Sequence, residues 1–177
     1  MRLFVAIDIP GDVRARLRSF VDTLKPLAKL SWSPVENLHI TTKFIGEWPE
    51  PRLEEMKSAL GGVPKTGSFS IEIRNLGWFP DEKRPRVIWA GVNADDSLPA
   101  LAKYTGDAVA AVGIPHDHRV YSPHLTLARI HETVPLAPVR RALSKAPQSF
   151  GSFRVADFYL YLSSAGKYTK LAEFSLE

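Results

Sequence analysis

The chain has 177 residues, 45% of them apolar and 24% charged, values that exclude a disordered or coiled-coil protein and fit one globular domain. It contains no cysteine, which excludes disulfides, thiolate metal sites and a cysteine nucleophile together. Lys and Arg number 23 against 19 Asp and Glu, a net charge of +4 that is compatible with an anionic ligand without demanding one.

In chain order, Leu3 to Ile9 reads as an apolar strand ended by Pro10-Gly11. Its apolar run is too short for a signal peptide and is broken by Asp8, and no stretch reaches the roughly 18 apolar residues of a membrane span. A soluble cytoplasmic protein with no membrane partner is expected. From Asp12 to Leu27, Val13, Leu17, Phe20, Val21 and Leu24 fall at helical spacing. Leu38 to Ile45 reads as a strand, Pro51 to Leu60 as a helix, and Phe69 to Leu76 as a half-buried strand by its strict alternation. Arg86 to Val92 is the next strand, Leu98 to Val112 a second long helix, and Tyr121 to Ile130 a further strand. The tail holds strands at Phe150 to Val155, Phe158 to Leu162 and Tyr168 to Phe174. Trp32, Trp48, Trp78 and Phe79 fall in predicted loops. The mixture, with antiparallel hairpins late in the chain, predicts an α+β fold.

An offset of 85 residues lays Phe4-Val5-Ala6-Ile7 on Trp89-Ala90-Gly91-Val92, helix on helix, and His39-Ile40-Thr41-Thr42 on His124-Leu125-Thr126-Leu127. Each half reads strand, helix, then a strand carrying His-x-Thr. An internally duplicated, bilobal chain with residues 1–177 as one domain is expected.

Alternation on a strand sets His39, Thr41 and Lys43 on one face, with Ile40, Thr42 and Phe44 on the other. In the second motif it sets His124 and Thr126 on one face and turns Leu125, Leu127 and Arg129 to the core, where an ion pair is expected for Arg129. His131 lies past that strand and is not expected in the site. An imidazole moves protons near neutral pH, and a threonine hydroxyl donates to an anionic oxygen without adding charge. Two such pairs across a groove suit acid/base displacement at phosphorus: one His activates the nucleophile, the other protonates the leaving oxygen, and the hydroxyls hold phosphoryl oxygens. Either motif alone is as readily a hydrogen-bonded structural strand, since Thr is a good strand former. No carboxylate or third His lies at ligand spacing on either motif, which argues against a metal. No Gly-rich phosphate loop and no G-x-S-x-G elbow occurs.

Leu38-His39-Ile40-Thr41-Thr42-Lys43-Phe44-Ile45-Gly46-Glu47 and Tyr121-Ser122-Pro123-His124-Leu125-Thr126-Leu127-Ala128-Arg129 resemble the paired signatures of the two-histidine phosphoesterase superfamily. The opening Leu3 to Pro10, Phe79-Pro80 and Arg86 to Val92 resemble its RNA 2′,3′-cyclic phosphodiesterase branch, historically called 2′-5′ RNA ligase. The resemblance implies two lobes about a pseudo-twofold axis, a groove lined by the His-x-Thr strands, and neither metal nor organic cofactor. It implies hydrolysis of an RNA or nucleotide 2′,3′-cyclic phosphate to a 2′-phosphate, with His39 as proton donor, His124 as proton acceptor, and Thr41 and Thr126 holding the phosphoryl group. A monomer acting on an RNA or oligonucleotide with such an end is expected. Ligation by the reverse chemistry, or a non-catalytic nucleotide- or RNA-binding module, are the alternatives; two intact histidines favour the enzyme. Lys43 either steers phosphate or extends to solvent, and Arg119 beside the second motif is the other candidate substrate contact. The chain departs from the family at Thr42, where an aliphatic residue is usual, and in a shortened loop between Leu160 and Tyr168.

Overall fold

The computed structural model describes all of residues 1–177. Strands β1 (Arg2–Asp8), β2 (Ser31–Trp32), β3 (His39–Glu47), β4 (Phe69–Phe79), β5 (Val87–Ala94), β6 (His124–Arg129), β7 (Ser149–Val155), β8 (Asp157–Ser164) and β9 (Lys167–Ser175) alternate with helices α1 (Gly11–Leu24), α2 (Leu53–Gly61), α3 (Ser97–Ala110) and α4 (Ala137–Ser144). The strands form two antiparallel sheets, a four-stranded one in the order β3-β1-β8-β9 and a five-stranded one in the order β2-β6-β5-β4-β7. This is the α+β fold expected.

The 85-residue offset survives in three dimensions. Shifted by it, β1 falls on β5, α1 on α3, β3 on β6 and α2 on α4. The spatial orders then match as well: β3-β1-β8-β9 against β6-β5-β4-β7.

Helix α1 forms where Val13, Leu17, Val21 and Leu24 make one buried stripe, with Asp12 in the first turn to complement the helix dipole. It passes into a 3₁₀ turn at Lys25–Leu27, where Pro26 is accepted at the start of the turn but would break an α-helix interior. Helix α3 buries Leu98, Leu101, Ala102, Thr105 and Val109. Each fully buried Leu, Val or Phe contributes roughly 1.5–3 kcal/mol by leaving water. One apolar cluster of 33 buried residues draws on both sheets. The helices bind them together: α1 reaches β7, with the Phe20 and Phe150 rings 5.6 Å apart, and α3 reaches β3, with Thr105 Oγ1 donating to Thr42 Oγ1 at 3.2 Å.

Several expectations are corrected. β6 begins at His124, because Tyr121 to Pro123 precede it as loop; β4 runs on to Phe79, so Trp78 and Phe79 are strand residues and Trp32 lies in β2. Helix α4 and strand β2 were not expected at all.

The most consequential correction is a pair of β-bulges. Ala6 pairs with Thr41 but Val5 with Lys43, so Thr42 is an extra residue in β3. Trp89 pairs with Thr126 but Ile88 with Ala128, so Leu127 is the extra residue in β6. The bulges are themselves 85 residues apart. Past an extra residue the alternation reverses. Phe44, pairing with Phe4, therefore joins the His39 face and is 70% exposed, while Lys43, pairing with Val5, turns to the buried face and is 3% exposed. Arg129 likewise turns away from the core.

Gly91 is fixed by a close approach. It pairs with His124 on one side and Arg74 on the other, and a Cβ there would lie 2.4 Å from the Arg74 carbonyl oxygen. Gly91→Ala is expected to destabilise the protein by about 1–3 kcal/mol, as overpacking does. Urea unfolding should show a lower midpoint at unchanged slope.

Candidate active site

The two His-x-Thr strands line one cleft of about 570 Å³ whose walls include His39, Thr41, His124, Thr126, Arg119 and Arg129. The structure thus brings the four motif residues together, with Arg119 on the rim.

Both imidazoles are tethered alike. His39 Nδ1 lies 2.9 Å from the Asn37 carbonyl oxygen, and His124 Nδ1 lies 2.9 Å from the Ser122 carbonyl oxygen. In each case a carbonyl two residues upstream accepts the Nδ1–H, which fixes the tautomer and leaves Nε2 as the atom free to give or take a proton. Thr41 and Thr126, half-buried one pleat further on, carry their hydroxyls on the same face.

The surroundings of the two rings differ. His39 has a 9% exposed side chain and is ringed by aromatics: Tyr161 at 4.7 Å, Tyr168 at 5.7 Å and Phe4 at 6.3 Å between centroids. Its Nε2 lies 3.6 Å from Asp8 Oδ1 across the β1–β3 pair. Asp8 also accepts hydrogen bonds from the Tyr161 hydroxyl and from Lys170 Nζ, the latter at 2.6 Å. Burial alone would push the Asp8 carboxyl up, but Lys170 and Tyr161 more than offset it and hold the group below its ordinary value. For His39, burial pulls the imidazole down from its ordinary value; the Asn37 bond and Asp8 work the other way without overcoming it. His124, by contrast, is exposed.

Lys43 does not extend to solvent: it borders the cleft while only 3% exposed, with its ammonium already partnered. The bulge at Thr42 turns it from the His39 face, and its Nζ donates to the Pro115 carbonyl and to Asp117 Oδ2, both at 2.9 Å. It therefore anchors the segment that leads into Arg119. Tyr121 ties the end of that segment down, its hydroxyl donating to the Thr41 carbonyl at 2.9 Å, and its burial raises the phenol well above its ordinary value. Arg129, expected in the core with an acidic partner, lies instead on the cleft face and makes no ion pair. His131 lies outside the cleft, as expected. No three His, Cys, Asp or Glu side chains gather as a set able to hold a metal ion, and no helix is long and apolar enough to cross a membrane. Sequence reasoning missed Asp8, because a carboxylate facing a histidine from another strand is visible only once the register is known. It missed Arg129 because the bulge hides in ordinary alternation.

Comparison with known proteins identifies the family and the fold. A family model described as LigT-like phosphoesterase matches residues 7–89. The RNA 2′,3′-cyclic phosphodiesterase of Archaeoglobus fulgidus is 33% identical over 161 residues, covering 90% of this chain and 89% of that protein. Among solved structures, the Thermus thermophilus protein TT0787 is 34% identical with a TM-score of 0.77, covering 99% of this chain and 98% of that one. E. coli LigT complexed with 3′-AMP is 25% identical with a TM-score of 0.76, covering 98% and 97%.

An NMR titration should find His39 losing its proton below the ordinary imidazole value. Asp8→Asn should move that midpoint lower still, because it removes the carboxylate that favours the cation. An upward shift in the variant would contradict this account of Asp8.

Proposed function

The chain belongs to the LigT-like phosphoesterase family, and from that premise we propose that it hydrolyses RNA or nucleotide 2′,3′-cyclic phosphate ends to 2′-phosphates without a metal. The observation that carries the reading is the matched pair of Nδ1-tethered histidines, each followed by a threonine on the same face, lining a single cleft.

In this mechanism a water molecule attacks phosphorus in line with the departing O3′. His124 Nε2 takes the proton from water as the new P–O bond forms. His39 Nε2 gives its proton to O3′ as the P–O3′ bond breaks. Attack and departure lie on opposite sides of phosphorus, so two separate proton carriers suit the reaction. The Thr41 and Thr126 hydroxyls donate to the two non-bridging oxygens, and the Arg129 guanidinium adds positive charge on the same face where negative charge grows. Arg119 on the rim is the further candidate contact.

Asp8 supports this direction of proton flow. A carboxylate 3.6 Å from His39 Nε2 favours a proton on that nitrogen. Burial opposes it, which makes the bound proton easier to surrender to a leaving oxygen. The kit contains no obligatory metal ligand set, and ligation would run the same site backwards against a vast excess of water.

His39→Ala and His124→Ala should each remove nearly all turnover on an RNA with a 2′,3′-cyclic phosphate end. The double variant should be little worse, because the pair acts as a unit. Thr41→Ala or Thr126→Ala should cost about 10²-fold, as for one lost oxyanion donor. A substrate whose 3′ leaving group is strongly acidic should rescue His39→Ala and leave His124→Ala inactive; the opposite pattern would reverse the two roles.

Excess EDTA should leave turnover unchanged. Loss of activity in chelator, restored by zinc or magnesium, would refute the metal-free mechanism.

A further inference from the structure

The four tryptophans of the chain divide three to one. Trp48 belongs to the apolar core, and Trp32 and Trp78 pack against it. Trp32 and Trp48 also give their ring N–H to carbonyl oxygens, at 3.3 Å and 2.9 Å. Trp89 does neither. Its neighbours Ile88 and Ala90 are core residues, so strand alternation stands the indole on the opposite face of the sheet. It is half-buried without packing against the core, and its Nε1–H has no acceptor within the protein and is not sealed from water. A buried indole normally finds such a partner.

That face is the one that carries the second motif. Trp89 pairs with Thr126 and Gly91 with His124, and residues directly opposite on neighbouring strands share a face. From there the ring runs outward over β4, where Trp89 pairs with Gly77. A Cβ on Gly77 would lie 2.1, 2.5 and 2.5 Å from three consecutive ring atoms, Cζ2, Cε2 and Cη2. Those distances describe an approach perpendicular to the ring, so the indole lies with one face on the glycine and turns the other away from the sheet. A hollow of about 350 Å³ opens beside it, walled by Arg74, Asn75, Gly91 and Asn93. Arg74 Nη1 is paired with Glu72 Oε1 at 3.3 Å, and Ser149 Oγ donates to the other Glu72 oxygen at 3.0 Å, so the charge there is balanced. Exposed Asn75 and Asn93 add amide donors and acceptors without charge. A phosphate would find no uncompensated cation here. An unpaired base would find a ring to stack on and amides at its edge.

We infer that Trp89 is a stacking platform for the nucleobase immediately 5′ to the nucleotide whose cyclic phosphate occupies the cleft. The platform rests on the phosphodiesterase reading and adds a recognition site to it. Reach decides which base it takes. The ring is seated about two strand spacings, roughly 10 Å, from the β6 backbone. The reacting ribose is bonded to phosphorus through both cyclic oxygens and is held at the histidines. The strand continues only on its 5′ side, so the next planar group along it is the base of the 5′ neighbour.

The test compares Trp89→Ala with the unaltered protein on three substrates: a 2′,3′-cyclic mononucleotide, a dinucleotide with that end, and the same dinucleotide lacking its 5′ base. The unaltered protein should have a KM for the full dinucleotide about tenfold below the other two, as one stacked base provides. Trp89→Ala should remove that advantage and leave the mononucleotide as it was, while Trp89→Phe should keep part of it. Gly77→Ala keeps the indole but denies it its seat. It should lose the advantage as Trp89→Ala does, and it replaces that variant if Trp89→Ala melts too low to assay. Because the site is neutral, the slope of log dinucleotide affinity against log salt should be the same in Trp89→Ala as in the unaltered protein. An advantage that survives Trp89→Ala, an equal loss on all three substrates, a full advantage on the abasic dinucleotide, or a shallower salt slope would overturn the platform. If the unaltered protein turns over none of the three, the phosphodiesterase reading fails on its own. Quenching of tryptophan fluorescence by the same dinucleotide ending in a 2′-phosphate then judges the platform separately. Quenching lost in Trp89→Phe supports it, and equal quenching in the two proteins overturns it.

Discussion

The cleft walls beyond the two His-x-Thr pairs depend on one inserted residue beside each motif, Thr42 in β3 and Leu127 in β6. Thr42 and Leu127 carry no chemistry, yet each resets which way its strand's side chains point. Without the bulges, the His and Thr of each motif would still share a face, but Lys43 would join them and Arg129 would be driven into the apolar core. A bulge is tolerated in β3 because the Thr42 hydroxyl can reach the Val5 carbonyl at 3.4 Å and accept from Thr105 at 3.2 Å. The departure from an aliphatic residue at this position thus has a local use: a polar side chain at the bulge finds polar partners in an otherwise apolar layer.

That constraint passes outward to the cleft walls. Lys43, turned to the buried face, is held by the Pro115 carbonyl and Asp117, and Tyr121 is held by the Thr41 carbonyl. The segment before the second motif is thereby fastened to the strand that carries the first. A bond from Asn37 Nδ2 to the Gly166 carbonyl, at 2.9 Å, links the approach to His39 with the β8–β9 turn. Neither histidine is positioned by its own half alone.

Much of this was legible in the sequence, for identifiable physical reasons. The helical stripes of α1 and α3, the alternation in β4 and the recurrence at 85 residues are local or periodic signals, and they survive in the structure. The pairing of His39 with Thr41, and of His124 with Thr126, needs only the strand period of two. What was not legible depends on register. Phe44, Lys43 and Arg129 were assigned to the wrong faces because an extra residue has no composition signature. Asp8 and Lys170 approach His39 from strands distant in sequence. Helix α4 is short, proline-led and buries only Val139 fully, so it carries too little periodicity to be seen.

The duplication is not perfect, and its imperfection lies at the rings beside the histidines. Phe4 stacks on Tyr161 at 5.2 Å and meets Tyr168 at 4.9 Å, so aromatic rings wall His39 on the side away from His124's half. Its counterpart 85 residues on is Trp89, which lies instead over Gly77, where an added Cβ would meet the indole at 2.1 Å, and His124 beyond it stays open to water. A perfectly twofold cleft would accept a polymer end equally well in either direction, wasting half of all encounters. One imidazole walled by rings and one open imidazole give the cleft two chemically unlike ends, a polarity that its duplicated backbone does not have.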